Sequence, residues 1–264
     1  MTVHRPTAYA VGAVVYLTAK LVHEGVGHGG ACLATGSDLV AFSTAWANCE
    51  TSTETAAVVV DVGGTFANLL AAALLWPFMG RPTDPIANYA VVLATGVNLL
   101  MGLGYMFADP LFGFGDWTDV FDVYGVGTGP RIGFGLVAGA AYVLLAMRWM
   151  KRATPIFGSA DPKRRARTLL TEPYLVVGGV LMTAAAATSP YGPALAVTSA
   201  LATLGGTSAL AWLPFTLDGG VAPDRAVAIL RAEAAAGKLL GSAVEVLAER
   251  QLWRGIAALG RTSG

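Results

Sequence analysis

Runs of about 20 apolar residues, the length needed to cross a bilayer, recur along the chain and are broken by short polar or Gly/Pro-rich stretches. The pattern predicts membrane spans at about 7–32, 55–78, 86–107, 132–150, 174–188 and 194–217. The second stops at Trp76-Pro77, the third before Asp109-Pro110, and the fifth turns through Ser189-Pro190-Tyr191-Gly192-Pro193 into the sixth. After Pro223, charged residues interrupt an Ala/Leu/Val background at helical spacing, which predicts an amphipathic helix lying on the membrane surface or on the bundle. The expected fold is all-α: a polytopic membrane bundle of about six transmembrane helices, with a short hairpin or irregular loop after the first. Residues 1–131 form a three-helix core, 132–221 three further transmembrane helices, and 222–264 the C-terminal helix.

Composition agrees with that pattern. The chain is 55% apolar and only 13% charged, against about 25% charged in soluble domains, and its mean hydropathy is +0.59. A formal net charge of zero gives no sign of a nucleic-acid partner. The first apolar segment runs into polar residues rather than a small-residue cleavage site, so it is expected to stay in the membrane. Arg148, Lys151, Arg152, Lys163, Arg164, Arg165 and Arg167 cluster in one loop, which the positive-inside rule assigns to the cytoplasm. Counting back through the spans places the N-terminus inside as well, with the loops at 33–54 and 109–131 outside. Cys32 and Cys49 flank the first outer loop, where a disulfide is possible; Cys32 as a metal ligand is the alternative.

The polar residues inside the first span change the picture most. Leu21-Val22-His23-Glu24-Gly25-Val26-Gly27-His28 puts two imidazoles and a carboxylate at membrane depth, where ionisable groups are costly and mark function. Zinc peptidases of the familiar pattern space their two His four residues apart on one helix face. Here the spacing is five, and a regular helix would set the two rings about 140° apart. Gly25 and Gly27 allow a π-bulge or local overwinding that absorbs the extra residue. The sequence His-Glu-x-x-Gly-His resembles the expanded motif of the dipeptidyl peptidase III family, in which both His bind zinc. The chain has only three His, the third being His4 near the terminus, so a third ligand must be a carboxylate, a thiolate or water. Lys20, one helical turn before Glu24, is placed to pair with that carboxylate or to reach toward water.

Four ordered features resemble the site-2 protease family of intramembrane zinc metalloproteases. The His/Glu/His motif comes first. Ala34-Thr35-Gly36-Ser37-Asp38-Leu39-Val40-Ala41-Phe42-Ser43 follows, similar to the glycine-led β-hairpin segment of that family. Gly63-Gly64-Thr65-Phe66-Ala67-Asn68 is similar to its Gly-x-x-x-Asn signature, and the fourth feature is an Asp on the third core segment. Gly115-Asp116-Trp117 has the right order for that Asp, and the charge-derived orientation puts it on the same side as His28. Leu217-Asp218-Gly219-Gly220 matches the family wording but falls on the opposite side; Asp109, Asp119 and Asp122 also compete.

The resemblance implies an enzyme that binds Zn2+ through His23, His28 and Asp116, uses Glu24 as general base, and grips the substrate backbone or oxyanion with Asn68. Asn98 has the same two readings as Asn68, a substrate contact or a helix–helix hydrogen bond. The expected partners are a membrane-spanning polypeptide substrate and the lipid bilayer, and the expected location is a cell membrane. Members of the family place zinc toward the cytoplasm, whereas the charge pattern here places it outside. Two other functions fit the same residues: a non-catalytic binder of membrane segments built on the same core, or a small transporter with Lys20, His23, Glu24 and Asp61 as its polar path.

Overall fold

The computed structural model describes residues 3–44, 46–158, 161–181, 184 and 202–217. The expected turn at 189–193, residues 182–183 and 185–188 of the fifth expected span, 194–201 of the sixth, Asp218 and the helix at 222–264 lie outside these residues. Helix dominates what is described. The first helical run begins as α1 (Arg5–Leu21), passes without a break into a π-helical segment (Val22–Gly29) and ends as α2 (Gly30–Ala34). A two-stranded antiparallel hairpin follows, β1 (Asp38–Phe42) and β2 (Ala47–Glu50), with a bulge between Leu39 and Ala41. Then come α3 (Glu54–Leu75), α4 (Pro85–Phe112), α5 (Asp116–Val123) and α6 (Thr128–Ala153). Shorter pieces include α7 (Pro162–Ala166) and α8 (Ala209–Trp212).

Among the described residues, three helical stretches are long and apolar enough to cross a membrane: Glu54–Phe78, Pro85–Phe112 and Thr128–Phe157. They coincide with the second, third and fourth expected spans. α4 is the central one, since 72% of its most apolar window is buried, against 28% for each of the other two. Exposed Phe66, Leu70 and Leu74 on α3 and Leu136, Val137 and Leu144 on α6 give these helices apolar outer faces, as a lipid-facing surface requires.

The third span was expected to end before Asp109-Pro110. Instead α4 continues through Pro110 and stops at Gly113, which takes a left-handed φ of 73°. A proline one turn from a helix end removes few backbone bonds, and the Asp109 carbonyl is capped by the Gly113 amide and by the Thr118 hydroxyl. The helix can therefore carry Asp109 past the expected boundary.

α4 and α6 run antiparallel. The Trp149 indole donates to the Val92 carbonyl near the start of α4, while Gly135 packs against Leu111 near its end. Arg148, Lys151 and Arg152 thus lie at the opposite end of the pair from α5. Cys32 and Cys49 are joined in a disulfide that ties α2 to β2.

Replacing both cysteines with serine should lower stability by about 3 kcal/mol, the loop-closure value for a short loop, the two lying 17 residues apart. Chemical denaturation in detergent should show the loss, and wild-type protein under reducing conditions should unfold with the double variant. Coincident unfolding of oxidised wild type and variant would show that the cross-link contributes nothing.

Candidate metal centre

The π-helical segment Val22–Gly29 spans the whole His-Glu-x-x-Gly-His motif. A π turn closes hydrogen bonds five residues apart instead of four, so His23 and His28 come round to one side of the helix. Their rings meet edge to face with centroids 4.8 Å apart, both buried. The wider backbone needs space at the crossing with α3, and glycine supplies it. A Cβ at Gly27 would run into the backbone of Gly63 and Gly64, and one at Gly64 would lie 2.5 Å from His28 Nε2 and 2.7 Å from His23 Nε2.

α3 also fixes which imidazole nitrogen faces the site. His28 Nδ1 donates to the Val60 carbonyl at 2.7 Å, which in the neutral imidazole puts the lone pair on Nε2. His23 Nδ1 lies 2.7 Å from Asn68 Oδ1. The direction of that bond follows from the amides behind it. Asn98 Nδ2 donates to the Ala94 carbonyl, so Asn98 Oδ1 accepts from Asn68 Nδ2, which also donates to the Ala19 carbonyl. Asn68 Oδ1 therefore accepts from His23 Nδ1–H, and His23 too presents a bare Nε2. Partners of this kind hold ligating imidazoles in one tautomer.

The third side chain comes from the start of α5. Gly115 adopts φ 87°, and the Asp109 carboxyl fills the space where a Cβ would sit. The Trp117 indole donates to the Thr65 hydroxyl on α3, and the Thr118 hydroxyl donates to the Asp109 carbonyl, so α5 is pinned on both sides of its first turn. This brings Asp116 Oδ2 to 3.4 Å from both His23 Nε2 and His28 Nε2. All three ligand atoms lie within 4.8 Å of one another.

These residues fit a metal ion. Two ligands of one tetrahedral zinc at about 2.0–2.1 Å stand roughly 3.3 Å apart. The Asp116 oxygen is buried with no hydrogen-bond partner, beside two nitrogens whose protons point away.

Glu24 lies beside this cluster, and its Oε1 is 2.7 Å from Lys20 Nζ in a buried ion pair, the first of the two readings that the spacing left open. The other candidates go elsewhere. Asp109 is fully buried under the α4–α5 turn, where it accepts from the Trp117 amide, and Asp122 pairs with Arg131. Asp119 stands on the cavity wall, its carboxyl raised by burial and by the neighbouring charges of Asp116 and Asp122. Cys32 is oxidised and so cannot be a thiolate ligand. The substrate-gripping role expected of Asn68 has no free donor to perform it. The side chain is fully buried, and its amide is committed to His23, Ala19 and Asn98; Asn68 is a positioning residue for His23.

A cavity of about 530 Å³ opens beside the cluster, lined by His23, Glu24, His28, Asp61, Asp116 and Asp119, with β2 along one wall and Tyr105 and Ala202 on another. Tyr105 is the residue that sequence reasoning missed; a tyrosine in an apolar helix reads as core. Its position seven residues after Asn98, two turns along one face of α4, is the signal that could have found it. No family model, curated protein or solved structure matches the chain.

Alanine at His23, His28 or Asp116 should abolish stoichiometric zinc in the purified protein, while Asp218→Ala should retain it. Asn68→Ala should weaken zinc about 10- to 100-fold, the usual effect of removing a ligand's hydrogen-bond partner. Elemental analysis and competition with a chromogenic chelator measure both, and full zinc in Asp116→Ala would place the third ligand elsewhere.

Proposed function

We propose that this chain is an intramembrane zinc metallopeptidase of the site-2 protease kind, hydrolysing peptide bonds within or near membrane segments. The observation that carries the reading is the convergence of His23 Nε2, His28 Nε2 and Asp116 Oδ2 on a cavity that also holds Glu24. A structural histidine pair would not require both Nδ1 protons to be drawn away and a carboxylate oxygen to be left without a donor. A purely transporting polar path would not require three ligand atoms at metal-sharing distance.

Zinc, held by His23, His28 and Asp116, would supply Lewis acidity, activating a water molecule and polarising the scissile carbonyl. Glu24 takes the proton from the attacking water and returns it to the leaving amine. Lys20 holds the Glu24 carboxylate in place from one turn below. Burial of the cluster keeps competing water away from charges that form during the reaction. The substrate is a membrane-spanning polypeptide, and the protein works within the lipid bilayer of a cell membrane.

Two observations support an outward-facing site. The basic residues of α6 lie at the end of the bundle away from α5, where the positive-inside rule puts the cytoplasm. The Cys32–Cys49 disulfide lies near the cluster, and disulfides persist in oxidising compartments.

Glu24→Gln should keep zinc and lose about 10²- to 10⁴-fold in cleavage of a pool of quenched-fluorescent peptides, the span expected for removing a general base. Chelation should silence the wild type and zinc restore it. Cleavage by Glu24→Gln at the wild-type rate would exclude the mechanism.

Orientation is tested separately in intact cells. A membrane-impermeant thiol reagent should label Ser43→Cys and spare Ser159→Cys; the reverse would put the site on the cytoplasmic face.

A further inference from the structure

A hydrolase of amide bonds needs a preorganised donor for the oxyanion that forms when water adds to the carbonyl carbon. Asn68, the residue expected in that role, is buried behind His23 with its amide fully used. A hydroxyl on a side chain that lines the cavity can supply such a donor. Tyr105 lines it from the central helix α4. It is buried, and its ring tilts against that of His23 with centroids 4.5 Å apart. Its hydroxyl lies 3.4 Å from Thr203 Oγ1, a long contact in which either oxygen can donate. With Thr203 donating, the Tyr105 oxygen is oriented and its own proton stays free for the cavity.

Building on the peptidase reading, we propose that the Tyr105 hydroxyl is the oxyanion donor, hydrogen-bonding to the carbonyl oxygen as it gains charge. As water adds, its oxygen bonds to the carbonyl carbon, its proton passes to Glu24, and the carbonyl π pair moves onto the oxygen that Tyr105 faces. Tyr105 keeps its proton throughout. The oxyanion then re-forms the carbonyl, the C–N bond breaks, and Glu24 delivers its proton to the amine.

Tyr105→Phe separates this role from packing, because phenylalanine keeps the ring against His23 and removes only the hydroxyl. With the quenched-fluorescent peptide pool as substrate, kcat should fall about 10²- to 10³-fold, the usual loss for one oxyanion donor, with KM and zinc content unchanged. A phosphinic peptide built on the best-cleaved sequence mimics the tetrahedral oxyanion, and its affinity should fall by a similar factor. Binding of the matching uncleaved amide to a Glu24→Gln background should not change on adding Tyr105→Phe. Wild-type kcat and phosphinate affinity in Tyr105→Phe would overturn the assignment, and so would loss of zinc, which would make Tyr105 a support for His23. Absence of Glu24-dependent cleavage by the wild type would instead overturn the peptidase reading and this proposal with it.

Discussion

His23 and His28 stand five positions apart, and a helical backbone that closes its hydrogen bonds five residues apart turns that spacing into a single site. The π-helical segment is the constraint on which the other features depend. It is wider than an α-helix, so it can approach α3 only where side chains are absent, and Gly27 meets Gly63 and Gly64 at that crossing. The close approach in turn lets the Val60 carbonyl and the Asn68 amide reach the backs of the two rings. With both Nε2 atoms on one side, a single carboxylate from α5 completes the set. A residue larger than glycine at the crossing would displace ligands as well as helices.

Polar groups inside an apolar bundle have to be paired, and the pairing here is layered. Ala94, Asn98, Asn68 and His23 form one line of hydrogen bonds from α4 through α3 to the first helical run. Lys20 and Glu24 neutralise each other within one turn. Each layer fixes the next, so the ligand atoms hold their direction without help from solvent. Among the described residues pairing stops at two buried carboxylate oxygens, Asp109 Oδ1 under the α4–α5 turn and Asp116 Oδ2, and only the second stands beside two imidazole nitrogens.

Much of this arrangement was legible in the sequence, for identifiable reasons. Uninterrupted apolarity marked the three long helices, and buried charge marked the motif. The glycines signalled a backbone that could absorb one extra residue, and residue order favoured Asp116. Other features depend on atoms that a sequence does not show. An asparagine in a membrane helix can face a substrate or a neighbouring helix, and only the amide network assigns Asn68 to His23. Pro110 reads as a terminator, yet a proline in the last turn costs the helix little. Tyr105 was hidden because its aromatic bulk matches the core around it, while its hydroxyl acquires meaning only beside the cavity.

The disulfide between Cys32 and Cys49 has a mechanical consequence. It ties the helical run that carries His23 and His28 to the β2 wall of the cavity by a covalent bond. The opposite wall, with Ala202, is held to the bundle by non-covalent contacts, including Tyr16 to Thr207 at 3.2 Å and Tyr105 to Thr203 at 3.4 Å. The cavity is therefore bounded by a covalent bond on one side and by exchangeable contacts on another.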